Sequence, residues 1–273
     1  MSGSGDVKEY LNLIHDADYG LLCEIDRVCR LCGIHYYLAA GTLLGAVRHG
    51  DFIPWDDDAD IVMPRKYYGR FMSSFREHAD KRYELILPAE HDFFFDFTAR
   101  IVDKEVTVSN PKTDKDYYGD LYDHPGVDIF VFDAAGPMLK ARLLGLKLTY
   151  ALAMGHRDKL EHQKYSGLEK LGSYILPAIG RQIKMKTLAG LYDRISNAKA
   201  SPSADWHISN QILVPPYWGM IYKREWYENR SFKKLRDHAF PIPAGYDEML
   251  RTLYGDYMQL PPEEKRKPEH FFA

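Results

Sequence analysis

The sequence predicts an α/β (α+β) fold in which a mixed sheet forms the core and a helical insert follows. Two observations lead to this prediction. Helical and strand-like patterns alternate through the first third of the chain, and several strand-like patterns then follow one another. After Gly136 the apolar residues recur mainly at helical spacing. We therefore predict a core at 1–136, a helical insert at 137–200 and a segment at 201–273 that completes the core.

Each predicted element rests on a local pattern. Apolar residues over 7–32 recur at helical spacing, and Gly33 stands where a helix would end. Gly41 and Thr42 open a short helix, and Pro64 stands in the first turn of another, where a missing N–H is tolerated. The predicted strands are 34–40, 58–63, 83–87, 93–102 and 126–133, and the predicted helices are 7–32, 41–50, 64–80, 138–163, 168–195 (interrupted by Pro177) and 246–258.

The composition excludes several classes of protein. Apolar residues make up 45% of the 273 residues and charged residues 27%, which is typical of a folded globular chain. The formal net charge of −3 gives no general attraction to nucleic acid, so we expect no nucleic-acid partner. Three cysteines within one predicted helix are too few for a disulfide framework. With no secretory leader and no apolar run of ~18 residues, these features predict a cytoplasmic protein.

The stretch GDFIPWDDDADI combines a dense acidic run with the start of a strand. Because side chains on a strand alternate, Asp58 and Asp60 are expected to share one face. Two carboxylates this close repel each other unless a cation lies between them, and oxygen ligands without His or Cys favour Mg²⁺ or Mn²⁺. We therefore predict a metal site at Asp58 and Asp60. Asp56 joins that face if the strand starts early, and Asp57 does not.

The acidic run could also be an EF-hand calcium loop or a solvated loop without a ligand. The spacing of its aspartates fits the first ligands of an EF-hand calcium loop, but Ile61 stands at the required Gly and Tyr67 at the required Glu. This calcium loop is therefore excluded. A solvated acidic loop without a ligand remains an alternative at this stage.

Two further features point to a phosphate and to a third metal ligand. Gly41 and Thr42 lie between a strand and a helix, where free backbone N–H groups and the helix dipole favour a phosphate. Asp128 lies within an apolar strand, where a lone carboxylate is costly to bury. A third metal ligand explains Asp128, and a structural contact to a backbone group or an arginine is the alternative.

Three segments together resemble the LicD family of phosphotransferases, which is related to the fukutin group. They are GTLLGAVRHGDFIPWDDDADIVMPR, GVDIF and FPIPAGYDEMLRTLYGDYMQLPP, and the resemblance spans about residues 36–265. It implies a nucleotidyltransferase fold like that of DNA polymerase beta. The signature of that fold is matched by Gly41-Thr42, by Asp58-Ala59-Asp60 and by Asp128. The sequence departs from the family at LRDHAFPIP, where a Phe-Glu pair is usual.

The resemblance also implies an activity and assigns residues to it. The expected reaction is transfer of a phosphoalcohol such as phosphocholine from a CDP-alcohol donor (CDP-choline in the family) to a hydroxyl of a cell-surface glycan, such as teichoic acid or lipopolysaccharide, with release of CMP. The expected cofactor is Mg²⁺ or Mn²⁺. The site residues that it implies are Asp58, Asp60 and Asp128 as catalytic metal ligands and Gly41 and Thr42 for phosphate, and Asp56 is a candidate further ligand. From their own chemistry, Arg48 and Arg100 are candidate phosphate ligands, with a structural ion pair as the alternative for each. His49 is a candidate contact of donor or acceptor, with a surface histidine as the alternative.

Two other functions stay open in the sequence. A nucleotidyltransferase of the same fold would leave the nucleotide on the acceptor, and a non-catalytic protein would bind a cation or glycan. Basic residues of the insert suggest peripheral contact with the inner face of a membrane carrying a lipid-linked acceptor; packing on the core is the alternative. The aromatic residues Trp206, Tyr217, Trp218, Tyr222 and Trp226 could bind an acceptor sugar or fill a core.

Overall fold

A computed structural model describes residues 4–108, 114–136, 138–197, 204–209 and 219–268. Alternating helices and strands, a mixed sheet and later helices confirm the predicted fold class. The helices are α1 (Ser4–Cys32), α2 (Ala40–Arg48), α3 (Arg65–His78), α4 (Lys115–Tyr118), α5 (Leu139–Ala153), α6 (Gly167–Gly180), α7 (Met185–Ser196) and α8 (Tyr246–Tyr254). The strands are β1 (Tyr37–Leu38), β2 (Ala59–Pro64), β3 (Tyr83–Ile86), β4 (Ala99–Asp103), β5 (Gly126–Ala134), β6 (Trp206–Ile208), β7 (Arg230–Leu235) and β8 (His238–Pro243).

Six strands form one mixed sheet. Five of them lie in the order β1-β2-β5-β4-β3, and β6 pairs with the C-terminal end of β5. Strands β2 and β5 are parallel, and the other pairs are antiparallel. Every residue of β2 is buried, as expected for a parallel strand covered on both faces. The parallel pair also brings the beginnings of β2 and β5 to one edge of the sheet.

The main core includes buried residues of α1 and of the sheet. The apolar residues of α1 recur at three- and four-residue spacing, so they line the side that packs on the core. They pack together with Phe71 and Phe75 of α3 and with the apolar residues of β2 and β5. The fully buried residues of α1 in this cluster are Leu21, Leu22, Ile25 and Val28.

Helices α5 to α7 pack closely through glycine. A Cβ at Gly180 would lie 1.9 Å from the carbonyl oxygen of Leu152, so α6 approaches the end of α5 backbone to backbone. The interruption predicted at Pro177 is wrong, because Pro177 lies buried inside α6 and the helix ends at Gly180. Close packing of Pro177 on Gly155 offsets the hydrogen bond that proline cannot donate. The domain boundaries remain a prediction.

Two predicted strands are much shorter than expected. The strand at 34–40 is reduced to Tyr37–Leu38, and the one at 93–102 begins only at Ala99. In the loop before β4, the carboxylate of Asp96 accepts the N–H of Phe97 at 2.6 Å, and Phe97 stacks on Tyr192 of α7 at 4.0 Å. These aromatic residues therefore pack against the helices instead of alternating across a sheet.

The hairpin of β7 and β8 was not predicted. Its two strands are joined by Arg236 and Asp237, and Arg236 has a φ of 59°, a conformation that favours glycine. Arg236 is held there by ion pairs to Asp16 at 2.6 Å and Asp51 at 3.0 Å. A turn stabilised by distant side chains has no local sequence signal, although the alternation in RSFKKL was visible.

Other predictions concern surface and composition. Cys23, Cys29 and Cys32 are free thiols. No helix in the described ranges is both long and apolar enough to cross a membrane.

Of the predicted aromatic cluster, Tyr222 and Trp226 are buried in the core with Trp206 packed beside them, which favours the packing interpretation. Tyr217 and Trp218 lie outside the described residues.

Candidate active site

Three charged side chains form a row across the sheet. Asp60 of β2 is the register partner of Asp128 of β5, and Asp128 is the partner of Arg100 of β4. Register partners on neighbouring strands point to the same face. The Arg100 guanidinium lies 3.5 Å from the Asp128 carboxylate. The sheet therefore places two predicted metal ligands and one predicted phosphate ligand side by side.

The remaining predicted carboxylates lie in the loop that enters β2. Asp56 and Asp58 are half-buried, and Asp57 is buried. Burial raises the pKa of Asp60 well above its usual range, and the charges of Asp58, Asp128 and Asp56 raise it further. These four residues, Asp56, Asp58, Asp60 and Asp128, are called the carboxylate cluster below. Their mutual effect shows that negative charge converges at this edge of the sheet.

The first turn of α2 is joined directly to the carboxylate cluster. The backbone N–H of Asp60 donates to the hydroxyl of buried Thr42 at 2.8 Å. A Cβ at Gly41 would lie 2.3 Å from a carboxylate oxygen of Asp56, so only glycine leaves room for that side chain. The two halves of the sequence signature, Gly41-Thr42 and the acidic strand, therefore form one connected structure.

Gly41→Ala is expected to slow the reaction by roughly tenfold or more, because the new methyl group displaces Asp56 and a misplacement of about 1 Å costs that much. The measurement is the initial rate of CMP release from a CDP-alcohol. Gly69→Ala on α3 is the control, since a Cβ there meets nothing within 4 Å. Equal rates for both variants would show that Asp56 needs no fixed position.

Helix α1 contributes two residues that the sequence did not reveal. His15 donates from Nε2 to the carbonyl of Asp56 at 2.7 Å, and burial lowers the pKa of His15. Asp18, one turn further on, is fully buried, and neither of its carboxylate oxygens has a hydrogen-bond partner. A buried carboxylate without a partner is costly, so Asp18 is a further candidate site residue. Asp18 was not singled out in the sequence, although Ile14 and Leu21, one turn before and after it, mark this side of the helix as apolar.

Asp18 interacts electrostatically with the row on the sheet. Burial raises the pKa of Asp18 well above its usual range; Arg100 lowers it, and the charges of Asp58, Asp128 and Asp56 raise it again. The Nε of Arg100 also lacks a hydrogen-bond partner. Gly126 makes room for that guanidinium, because a Cβ there would lie 2.7 Å from the same Nε. Arg100 is thus held over β5 with donor capacity left for a ligand.

Asp96 is a second acidic residue that sequence reasoning missed. Burial raises the pKa of Asp96 to about 6, and the charge of Asp128 also raises it. The hydrogen bond from the Phe97 N–H and the charge of Arg157 lower this pKa but do not cancel the effect of burial. A carboxyl group that titrates near neutral pH is suited to proton transfer. Its only sequence signal was an acidic residue within an aromatic run.

Arg48 and His49 lie on the Trp55 side of the acidic loop. Arg48 donates to the carbonyl of Tyr257 at 2.8 Å and to His49 at 2.9 Å, which joins α2 to the C-terminal segment. The His49 and Trp55 rings are 6.2 Å apart, and the guanidinium of Arg266 lies 5.8 Å from the Trp55 ring. Arg266 is therefore a second cation here, which was not predicted. Phosphate binding by Arg48 remains a prediction.

The carboxylates of the site could supply only some of the ligands of a divalent ion. Within the described ranges, no group of three or more His, Cys, Asp or Glu side chains could hold a metal ion by itself. Mg²⁺ usually binds one or two carboxylates and keeps water or substrate phosphates as its other ligands. Asp60 and Asp128 are register partners, and the carboxylate of buried Asp18, which has no hydrogen-bond partner, interacts electrostatically with Asp128. This donor set fits an ion of this kind that binds together with a phosphate.

The chain is similar to known phosphoalcohol transferases. Residues 33–151 match the family described as LicD/FKTN/FKRP, nucleotidyltransferase domain. Lipopolysaccharide cholinephosphotransferase LicD of Haemophilus influenzae is 28% identical in an alignment of 265 positions that covers 92% of each chain. Ribitol 5-phosphate transferase FKRP of Homo sapiens is 56% identical over 34 residues, which are 12% of this chain and 7% of that protein.

The matched region includes every predicted site residue. It begins at Gly33, directly after α1, ends within α5, and contains the carboxylate cluster, Gly41-Thr42 and Arg100. The alignment with the Haemophilus protein extends beyond this region to nearly the whole chain. Residues 33–151 therefore match the LicD-family nucleotidyltransferase domain, and the similarity to a cholinephosphotransferase over most of the chain shows that this protein is an enzyme.

Proposed function

We propose that this enzyme transfers a phosphoalcohol from a CDP-alcohol to a hydroxyl group of a cell-surface glycan and releases CMP. The observation that carries the proposal is the row of Asp60, Asp128 and Arg100 across the sheet, joined through Thr42 to the first turn of α2. The relatives support the general reaction, since one is named a cholinephosphotransferase for lipopolysaccharide and another a ribitol 5-phosphate transferase.

The residues divide the chemistry between them. Backbone N–H groups at Gly41 and the guanidinium of Arg100 would bind the diphosphate of the donor. The acceptor oxygen would attack the phosphorus that carries the alcohol, and the bond from that phosphorus to the bridging oxygen would break, so that CMP leaves with the electron pair. Asp128 would accept the proton of the acceptor hydroxyl.

A divalent ion, Mg²⁺ or Mn²⁺, would be held by Asp58, Asp60 and Asp128, with Asp56 nearby, and would neutralise charge on the diphosphate when bound. Asp18 interacts electrostatically with Asp58, Asp128 and Asp56, and it would stabilise the loaded site because its ionised form gains a cation. Positioning and neutralisation of charge account for most catalysis of phosphoryl transfer, and the described residues are suited to both.

The test is incubation of the protein with a panel of CDP-alcohols, with or without glycan acceptors, in Mg²⁺, Mn²⁺ or EDTA. CMP release that depends on acceptor and metal is the expected result, with loss of about 10² to 10³ in rate for Asp58→Asn. Mass analysis of the acceptor shows which group was transferred. No CMP from any donor would contradict the proposal, and an acceptor carrying the nucleotide would indicate a nucleotidyltransferase instead.

A further inference from the structure

Helix α6 presents an apolar face that no part of the described chain covers. Leu168 is 87% exposed, and Leu171, Ile175 and Ile179 are between 47% and 56% exposed. Their spacing of three and four residues places them on one side of the helix. Pro177 and Gly180 are buried on the other side, against the end of α5. The four exposed residues are called the apolar stripe below. Since α6 is packed against α5 on its other side, the stripe is a surface of a well-packed helix.

Exposed apolar residues concentrate in this region. Of the seventeen large hydrophobic side chains exposed in the described residues, ten lie between Met138 and Leu191. Next to the stripe is a shallow groove of about 620 Å³ lined by Tyr174, Ile175, Ala178, Ile179, Gln182 and Ile183. Contiguous apolar surface of this kind marks a contact with a protein or a membrane.

The charges around the stripe favour a membrane with anionic lipids. Segment 164–192 has five basic residues and one acidic residue, although the whole chain has a formal net charge of −3. The acidic residue, Glu169, lies 3.5 Å from Lys147 of α5. Lys170 on α6 and Lys184 and Lys186, which follow α6 in the sequence, are exposed, and they are called the flanking lysines below. The excess of basic residues belongs to the segment and not to α6 itself, whose charged residues are Glu169 and Lys170. An apolar helix face within a basic segment is typical of helices that lie in the membrane interface.

We propose that α6 docks the enzyme on the surface of an anionic phospholipid bilayer. Leu168, Leu171, Ile175 and Ile179 enter the boundary between headgroups and acyl chains, and the flanking lysines contact lipid phosphates. With 14 residues, α6 is too short to cross a bilayer, which needs about 20. This proposal is independent of the reaction, since it rests only on the surface of α5 to α7.

Vesicle sedimentation tests the docking. The whole protein is mixed, without substrate, with vesicles of phosphatidylglycerol and phosphatidylcholine or of phosphatidylcholine alone. We expect binding to the anionic vesicles, at least about tenfold weaker binding to the neutral ones, and weakening by high salt. The variant Leu171→Glu/Ile175→Glu should lose at least about tenfold in partitioning, since charged residues are strongly disfavoured in an apolar boundary.

Control variants show whether binding depends on the apolar stripe and the flanking lysines, or on any exposed leucine or lysine. Leu31→Glu changes a leucine on α1 that is 62% exposed and should bind vesicles like the wild type. Lys170→Gln/Lys184→Gln/Lys186→Gln should weaken binding, whereas Lys66→Gln/Lys81→Gln/Lys104→Gln, which removes three exposed lysines elsewhere, should not. CMP release with a water-soluble acceptor should be unchanged in all of these variants, so failure of docking and failure of the reaction are distinguishable.

Two outcomes would overturn the proposal. One is equal sedimentation of the wild type and the Leu171→Glu/Ile175→Glu variant. The other is a wild type that does not sediment with anionic vesicles but forms a dimer in solution that this variant dissociates, because the occupant of the stripe would then be a second copy of the chain. Light scattering coupled to size exclusion measures the oligomeric state of each variant.

Discussion

Asp60→Asn is expected to reduce CMP release by a factor on the order of 10³ while leaving the metal-free protein at least as stable as the wild type. Asp60 is buried at the centre of the carboxylate cluster, and its backbone is fixed by Thr42. The amide keeps the shape of the side chain but removes the charge that attracts a cation. Because three neighbouring carboxylates already disfavour that charge, its loss relieves repulsion in the metal-free fold.

Rate assays and thermal melting with and without Mg²⁺ check this result. Wild-type protein should melt at a higher temperature when Mg²⁺ and a CDP-alcohol are added, because ligands that bind only the folded state stabilise it, and Asp60→Asn should lose most of this shift. Asp120→Asn is the control, since the Asp120 side chain is 88% exposed and lies outside the cluster. A variant that keeps full activity would exclude Asp60 as a metal ligand.

Asp18→Asn is expected to have opposite effects on stability and activity. At neutral pH the metal-free variant should be more stable by roughly 1 kcal/mol or more, because Asp18 must take up a proton when the wild type folds and the amide does not; each pKa unit is worth about 1.4 kcal/mol. CMP release should fall about tenfold, the smallest loss typical of changing a residue that supports metal ligands. The raised pKa of Asp18 gives a pH signature as well.

The sign of that signature follows from proton binding. Above pH 3.8, the ordinary value, unfolded chains have lost the proton of Asp18 while the folded protein keeps it. The free energy of unfolding of the metal-free wild type should therefore fall as the pH rises from about 4 through the raised pKa. Asp18→Asn should show a smaller fall in chemical denaturation across this range.

Asp26→Asn is a matched control for Asp18→Asn. Asp26 lies on the same helix and is also buried, but its carboxylate accepts hydrogen bonds from Arg30 at 2.6 Å, Tyr36 at 2.9 Å and His238 at 2.8 Å. Its replacement should lower the free energy of unfolding by about 1–3 kcal/mol, since charge-assisted bonds are lost. The same sign of stability change in both variants would contradict a role for Asp18 at the site.

Much of the fold followed from local patterns. Helix α1, the buried strand β2 and the helix after Pro64 were predicted because each carries the period of its own structure. The hairpin of β7 and β8 was missed because its turn depends on Arg236, which is held by Asp16 and Asp51 from other parts of the chain. The aromatic run before β4 was taken for a strand because its packing partner, Tyr192, lies about a hundred residues away.

The sequence by itself determined the chemical character of the site: two aspartates two residues apart, a third aspartate in a later strand, a Gly-Thr turn before them and an arginine, within a recognisable family pattern. Only the tertiary structure decided which residues meet. The register of β2, β5 and β4 aligns Asp60, Asp128 and Arg100, and α1 brings Asp18 toward them. The physical reason is that strand period fixes the direction of a side chain, whereas neighbours across a sheet or from a distant helix depend on packing of the whole chain.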